Sequence, residues 1–153
     1  KLLCSPKLPP EKIMSVPLEK VKEFLTARNE CFMKADLDAY LELWSNEGII
    51  ELNAFVCNGK EEIGNTISFA WSMLTCLHME TRTFAINGHS ILNEFSIVWK
   101  NNKTGEITLQ TGMGVIEIND EGKMTYLRDY FDANEGQRPS ALQSSKIRQL
   151  LSK

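Results

Sequence analysis

The stretch "GVIEINDEGKMTYLRDYFD", Gly114 to Asp132, predicts two antiparallel strands joined by a tight turn. Residues 119–122, Asn-Asp-Glu-Gly, supply the turn signal in the middle. Successive side chains of a strand point to opposite faces, so Leu127, Asp129 and Phe131 share one face of the second strand. A carboxylate therefore lies between two large apolar side chains, on the face that should pack against a core.

Composition sets the class of protein. The chain has 153 residues, 42% of them hydrophobic and 24% charged, which is typical of a single globular domain. A net charge of −3 argues against an electrostatic nucleic-acid binder, and no run of 18 apolar residues predicts a membrane span. The four cysteines match no zinc or redox spacing, so we expect free thiols in the cytoplasm. We expect no metal and no cofactor. The missing initiator Met leaves open that the chain is part of a longer one.

Apolar spacing divides the chain into elements. Four of the five prolines lie in residues 1–17, which predicts an irregular leader there. Helical spacing and strand alternation follow, and they predict helices over 18–35, 37–44 and 59–77, a strand over 49–59, and strands over 78–88, 89–102, 106–120 and 123–133. Residues 134–153 are predicted to form a loop and a short helix, which could cap the open end of the domain.

The order of these elements predicts an α+β domain over residues 18–133. We expect three helices in the N-terminal half to cover a curved antiparallel or mixed sheet. Such a sheet has the shape of a cone and encloses a cavity, whose inward side chains need not be apolar.

The order of elements, the "NGKEEI" segment before the third helix and the Arg-Asp-Tyr-Phe-Asp strand resemble the nuclear transport factor 2-like superfamily. Within it, the hairpin from Gly114 to Asp132 is most similar to SnoaL-like polyketide cyclases and limonene epoxide hydrolases. The resemblance implies that Asp129 is an inward-facing catalytic carboxylate. It also implies a homodimer formed through the outward face of the sheet.

The resemblance to the hydrolases is incomplete. In that branch the catalytic Asp works with an Arg-x-Asp pair on a middle strand and a Tyr-x-Asn pair on the first strand. Asn53 matches the Asn, but Phe95 and Ile97 stand where the Arg and Asp should be. A register shifted by one residue would turn Glu94 and Ser96 inward instead. Neither register supplies the Arg, so epoxide opening is disfavoured.

Acidic residues are the candidates for proton transfer. Burial of Asp129 in an apolar cavity would raise the pKa of its carboxyl and suit it to general acid/base work. Glu51 shares the face of the first strand that we expect to point inward, and it could pair with Asp129. The alternatives are that Glu51 lies in water or pairs with Arg28. Asn53 is predicted to bind substrate or water.

One further strand is predicted to line the cavity. Gln110, Gly112 and Gly114 alternate on one face, and the glycines leave room for a ligand whose oxygen Gln110 could bind. The alternative is a bulge or bend in a curved sheet. His78 and His89 adjoin predicted turns and are expected at the surface. The apolar walls of the cavity are expected from Leu127, Phe131, Phe95, Ile97 and Trp71.

These features predict a cofactor-independent acid/base enzyme that acts on a hydrophobic polyketide- or terpenoid-like molecule. The reaction would be an isomerisation, cyclisation or dehydration. The rival interpretation is a non-catalytic domain of the same fold that binds a small ligand or serves for dimerisation.

Overall fold

Four helices and six strands make up the part of the chain that the structure describes. The structure, a computed structural model, describes residues 15–52, 55–131 and 141–153. Most of the predicted leader, Asn53 and the loop before the last helix lie outside the described residues. The helices are α1 (Leu18–Lys34), α2 (Leu37–Glu42), α3 (Gly59–Met73) and α4 (Ala141–Leu151). The strands are β1 (Trp44–Leu52), β2 (Phe55–Asn58), β3 (Leu74–Asn87), β4 (Ser90–Asn101), β5 (Ile107–Ile118) and β6 (Met124–Phe131).

The strands form one sheet in the order β2-β1-β6-β5-β4-β3. The pair β1–β6 is parallel and the other pairs are antiparallel, so the sheet is mixed. Strands β2 and β3 form its two edges. Helices α1 and α3 pack on one face, which we call the inner face, and the opposite side is the outer face. The prediction of an α+β fold with helices covering a mixed sheet is confirmed.

Two element boundaries were predicted wrongly. Asp36 caps α2 as expected, because its Oδ1 accepts a hydrogen bond from the Ala39 amide at 3.0 Å. The helix nevertheless ends at Glu42, and Trp44 already belongs to β1. The predicted strand over 49–59 is a hairpin, with Leu52 of β1 opposite Phe55 of β2. At Trp44, backbone pairing with Met124 of β6 overrides the helical spacing that predicted a longer α2.

The third helix is also shorter than predicted. It ends at Met73, and the following residues pair with β4, beginning with Leu74 opposite Asn101. Threonine and cysteine at positions 75 and 76 are better suited to a strand than to a helix interior. No helix in the described ranges has the length and hydropathy needed to cross a membrane.

Aromatic rings fill the space between the helices and the inner face. The ring of Phe32 meets those of Tyr40 and Trp71 edge to face, each at 5.3 Å between centroids. Trp44 and Phe95 are fully buried in the same cluster. This part of the core is therefore closely packed.

Helix α4 lies on the outer face. Its Ile147 and Leu150 pack against Val98 of β4 and Leu109 of β5. Val98 points away from the inner face because its neighbour Ile97 belongs to the main core. The expectation that this helix caps the open end of the domain is wrong, since it covers part of the opposite side of the sheet.

Candidate active site

Asp129 projects from β6 onto the inner face. Its neighbour on that face, Leu127, is buried in the core, and Arg128 between them is exposed on the outer face. The alternation predicted for this strand is therefore the observed one. The side chain of Asp129 is only 14% exposed. Its Oδ1 atom has no hydrogen-bond partner among the described residues.

The nearest cation to this carboxylate comes from helix α1. Nη2 of Arg28 lies 3.6 Å from Oδ2 of Asp129, and the arginine side chain is 1% exposed. The guanidinium carbon lies 5.6 Å from the ring centre of Phe32 and 6.0 Å from that of Phe95. Arg28 lies on the apolar stripe of α1, so packing of this helix carries the charge into the core. Two of its nitrogens, Nε and Nη1, have no partner in the described part of the chain.

A row of three residues crosses the sheet beneath this ion pair. Asn93 of β4 lies opposite Gly114 of β5, which lies opposite Asp129 of β6. A Cβ atom on Gly114 would lie 2.6 Å from Oδ1 of Asp129 and 2.7 Å from Oδ1 of Asn93. The glycine therefore allows the two side chains to meet above it. Neither polar atom of the fully buried Asn93 amide has a partner in the described ranges.

Burial controls the protonation of the site. Desolvation raises the pKa of the Asp129 carboxyl, and the charge of Arg28 opposes that change only in part. Burial also raises the pKa of Tyr40 to about 12, so its hydroxyl stays protonated and neutral. Tyr40 is close enough to Arg28, Trp44 and Asp129 for each to influence that pKa. Asp129 is thus the carboxyl of this cluster that burial makes readier to hold and exchange a proton than an ordinary aspartate.

The apolar residues predicted to line the cavity are found as follows. Phe95 and Ile97 are buried on the inner face, whereas Glu94 forms an ion pair with the half-exposed Arg82, at 2.9 Å. The first of the two registers considered for β4 is therefore correct.

Members of the predicted wall that belong to or pack against the core are Phe95, Ile97, Leu127 and Trp71. Phe131 lies opposite Gly112 on the same face as Asp129.

Gln110 has a partner inside the protein. It lies on the inner-face row with Ile97, and its Oε1 accepts a hydrogen bond from Nε1 of Trp99 at 2.9 Å. Pairing of β4 with β5 runs without a register shift from Ser90 to Lys100. This rules out a bulge as the reason for Gly112 and Gly114 in β5. The substrate-binding role predicted for Gln110 remains a prediction.

Glu51 lies on the other face of the sheet. In the parallel pairing its Cα lies opposite Arg128, while Ile50 lies opposite Leu127 and is buried. Its carboxylate accepts hydrogen bonds from the Tyr126 hydroxyl and from Nη1 of Arg128, the latter at 3.2 Å. The expectation that Glu51 points inward and pairs with an inner carboxylate is wrong. Apolar Ile50 takes the inward position because it packs in the core.

Sequence reasoning missed three residues of the cluster. The sequence offers Arg28 only as an alternative partner for Glu51, whereas its ion pair is with Asp129. Asn93 precedes Phe95 by two residues, so alternation alone places it on the inner face. The helical spacing of α2 predicts only that Tyr40 points inward. A charged or amide side chain in an otherwise apolar row was the signal that could have found the first two.

Comparisons with known proteins were made at the levels of sequence and structure. No protein-family model matches the chain, and no curated protein sequence matches it. Solved structures do match. A Bacillus subtilis protein described as a candidate isomerase is 23% identical, with a TM-score of 0.70 over 82% of this chain and 97% of that one. Other matching structures are described as having a ketosteroid isomerase-like fold or as nuclear transport factor 2-like proteins.

The chain has the nuclear transport factor 2-like fold. An epoxide hydrolase from Mycobacterium tuberculosis that is similar to limonene epoxide hydrolase is 15% identical, with a TM-score of 0.68 over 86% of this chain and 96% of that one. A second M. tuberculosis protein, solved in complex with estradiol-17beta-hemisuccinate, is 14% identical, with a TM-score of 0.67 over 76% and 96%. Proteins with this fold carry out different functions, so the function must be argued from the side chains.

Proposed function

We propose that the protein is a cofactor-independent acid/base enzyme, an isomerase, cyclase or dehydratase, that acts on a hydrophobic polyketide- or terpenoid-like molecule. The observation that carries this proposal is the carboxylate of Asp129. It is buried on the inner face beside Arg28, and one of its oxygens has no partner among the described residues. Asp129 gives the proton to the substrate or takes it.

The neighbours of Asp129 support charge stabilisation. Transfer of a proton from carbon or to a leaving oxygen changes the charge on a substrate oxygen, and buried donors aimed at that oxygen lower the barrier. Arg28 has unpartnered N–H groups beside Asp129, and the Asn93 amide adds donors from the same row of the sheet, two strands away. No group of three His, Cys, Asp or Glu side chains that could hold a metal ion occurs in the part of the chain that the structure describes.

The surroundings of the site favour an apolar substrate. Phe95, Leu127 and Phe131 flank Asp129 on the inner face, and Trp71 packs against the same aromatic cluster. A pocket with apolar walls and a few polar groups is the usual form of a small-molecule site. The M. tuberculosis protein of the same fold was solved in complex with estradiol-17beta-hemisuccinate, which supports a small-molecule ligand.

Proton transfer can be tested before the natural substrate is known. The protein is incubated in deuterium oxide with a panel of apolar ring ketones, such as tetralone, decalone and a steroid enone, and deuterium uptake is followed by mass spectrometry. Removal of a general acid/base group typically lowers a rate about 10²–10⁴-fold, so Asp129→Asn should lose exchange to that extent. Glu51→Gln, on the outer face, is the matched control and should retain it. Exchange by Asp129→Asn at the wild-type rate would overturn the proposal.

A second candidate function is binding without catalysis, in a ligand-binding or dimerisation domain. Close packing of Tyr40, Trp44 and Phe95 beside Asp129 favours it, because a filled interior leaves less room for chemistry. In that case ligands bind, yet no member of the ketone panel exchanges faster than in buffer. Epoxide hydrolysis is not favoured, since positions 93, 95 and 97 of β4 hold no Arg-x-Asp pair.

We also propose a homodimer through the outer face. Leu92, Met113 and Tyr130 are exposed there and line a shallow surface concavity of about 980 Å³. Helix α4 covers a different part of the same face, over Val98 and Leu109. Sedimentation equilibrium of the wild type and of Met113→Glu tests this proposal. A dimer that dissociates in the variant is expected, and a wild-type monomer at all concentrations would contradict it.

A further inference from the structure

Arg28 has more hydrogen-bond donors than the surrounding residues use. A guanidinium carries five N–H donors in a planar fork that suits two oxygens at once. Its one ion pair, to Asp129, has a separation of 3.6 Å, longer than the 2.7–2.9 Å or so of a charge-assisted hydrogen bond. Nε and Nη1 have no partner in the described ranges. The charge is therefore buried and only loosely neutralised.

Other unpartnered donors lie in the same cluster. The hydroxyl of Tyr40, Nε1 of Trp44 and Nδ2 of Asn93 are all buried, and none of them makes a hydrogen bond of normal length and angle within the residues described. Trp44 and Arg28 lie close enough to the Tyr40 hydroxyl to oppose the rise in its pKa, but neither contact reaches normal hydrogen-bond geometry. Leaving buried polar groups unpaired is unfavourable, so a ligand that pairs several of them gains affinity. Because most of these atoms are donors, the complementary ligand is an acceptor.

We propose that the ligand of this site is a hydrophobic carboxylic acid, whose carboxylate replaces Asp129 as the partner of Arg28 while Asp129 takes up one proton from water. The inference deepens the proposed function, and it rests on that function only for the location of the site. The charges balance: before binding the Arg28–Asp129 pair is neutral, and afterwards Arg28 pairs with the ligand anion and Asp129 is a neutral acid. Its new O–H group then faces the bound ligand.

Proton uptake follows from the charges in the core. Two carboxylates beside one guanidinium would leave a net negative charge out of water, which is strongly unfavourable. Burial raises the pKa of Asp129, so this carboxyl accepts the proton readily. Arg28 is the charged group that acts on Asp129, and the neutral Tyr40 is the other ionisable group near the pair. Glu51 and Arg128 neutralise each other on the outer face.

The test compares ligands that differ only in the polar end. Naphthylacetic acid, naphthylethanol and naphthylethylamine share one ring system, and decalin carboxylic acid with decalin methanol provides a second. Calorimetric titration in two buffers of different ionisation enthalpy gives both the dissociation constant and the number of protons taken up. We expect an acid to bind at least tenfold more tightly than its alcohol, with uptake of about one proton. Affinity should fall by up to about tenfold per pH unit as the pH rises above neutrality.

Variants show which arginine is responsible for the preference for the acid. Arg28→Gln should abolish the preference for the acid, whereas Arg128→Gln, which removes the outer arginine, should keep it. If Arg28→Gln does not fold, the double variant Arg28→Gln/Asp129→Asn keeps the volume without a lone buried charge, and it too should lose both the preference and the proton uptake. Equal binding of acid and alcohol by the wild type, an absence of proton uptake, or no binding of either acid would overturn the inference.

The outcomes separate this inference from the proposed function. Preferential binding of the acids with proton uptake but without deuterium exchange on any ketone would support the inference and contradict the enzyme. Exchange that depends on Asp129 without any preference for acids would support the enzyme and overturn the inference.

Discussion

Two arginine–carboxylate pairs lie on opposite faces of strand β6, and they differ in nearly every physical respect. On the inner face Arg28 and Asp129 are 1% and 14% exposed and lie 3.6 Å apart. On the outer face Arg128 and Glu51 are 45% and 35% exposed and lie 3.2 Å apart. The outer pair has further support, because Tyr126 donates to Glu51 and the ring of Tyr130 lies 4.9 Å from the guanidinium of Arg128.

The difference shows which pair is suited to function. The exposed pair is well hydrogen-bonded and screened by water, so it contributes little to stability and needs no further partner. The buried pair has been removed from water without gaining a full set of hydrogen bonds, and such an arrangement costs free energy. Groups that a fold keeps buried and under-paired are candidates for catalysis or binding.

The largest effect should come from removal of one inner partner. Arg28→Met leaves Asp129 as an uncompensated buried carboxylate, and we expect a loss of about 3–5 kcal/mol in the free energy of unfolding. Arg128→Met on the outer face should lose less than about 1 kcal/mol. Urea unfolding monitored by tryptophan fluorescence measures both values.

A double variant separates the lost charge from the changed shape. Arg28→Met/Asp129→Leu removes both inner charges and should regain most of the stability lost in the single variant. Equal losses for Arg28→Met and Arg128→Met would contradict the contrast between the two faces.

The next effect concerns the glycines beneath the inner pair. A Cβ on Gly112 would lie 2.7 Å from the backbone oxygen of Tyr130 and 2.8 Å from the ring of Phe95, and neither can move easily. Gly112→Ala should therefore cost about 1–3 kcal/mol. At Gly114 the added methyl meets only the ends of two side chains, so Gly114→Ala should cost less and instead displace Asp129 from Arg28.

Stability and binding together distinguish the two variants. Gly114→Ala should keep a nearly normal urea midpoint but lose the binding or exchange activity of the site. Gly112→Ala should show a lowered midpoint. The reverse ranking of midpoints would show that the side chains above Gly114 are held rigidly.

The order of elements and the inner face of β6 could be predicted from sequence because each depends on local alternation. Asp129 between Leu127 and Phe131 follows from the period of a strand alone. The orientation of Glu51 could not be predicted in this way, because the adjacent apolar residues Ile49 and Ile50 lie on opposite faces of β1. Only the burial of Ile50 in the folded core decides which face turns inward. The Arg28–Asp129 pair joins residues about a hundred positions apart, and only the packing of α1 on the sheet brings them together.

The third prediction uses pH to separate the faces. Burial raises the pKa of Asp129 above its ordinary value of 3.8 in the folded protein. The folded state then holds this proton more tightly than the unfolded state, so its contribution to stability falls as the pH rises from about 4 through the folded pKa. Each unit of elevation corresponds to about 1.4 kcal/mol.

The measurement is the difference in unfolding free energy between the wild type and Asp129→Asn over that pH range. As the pH rises, the wild type should lose stability relative to Asp129→Asn, because the variant has no proton to lose at this position. Glu51→Gln provides the control for the outer carboxylate. A difference that moves in favour of the wild type with rising pH would mean that Arg28 outweighs burial.

The smallest effect belongs to the outer pair, and salt should reveal it. Glu51→Gln keeps an acceptor for the Tyr126 hydroxyl but removes the charge that Arg128 faces, so we expect a loss of about 0.2–1 kcal/mol at low ionic strength. In about 1 M salt the screening length falls to about 3 Å, comparable to the 3.2 Å separation of the pair, and most of that loss should disappear. The inner pair is shielded from ions, so the cost of Arg28→Met should stay nearly constant in the same titration. A cost of Arg28→Met that fell with salt as that of Glu51→Gln does would show that water and ions reach Asp129, and the site would then lack the dry surroundings on which proton transfer and carboxylate binding both depend.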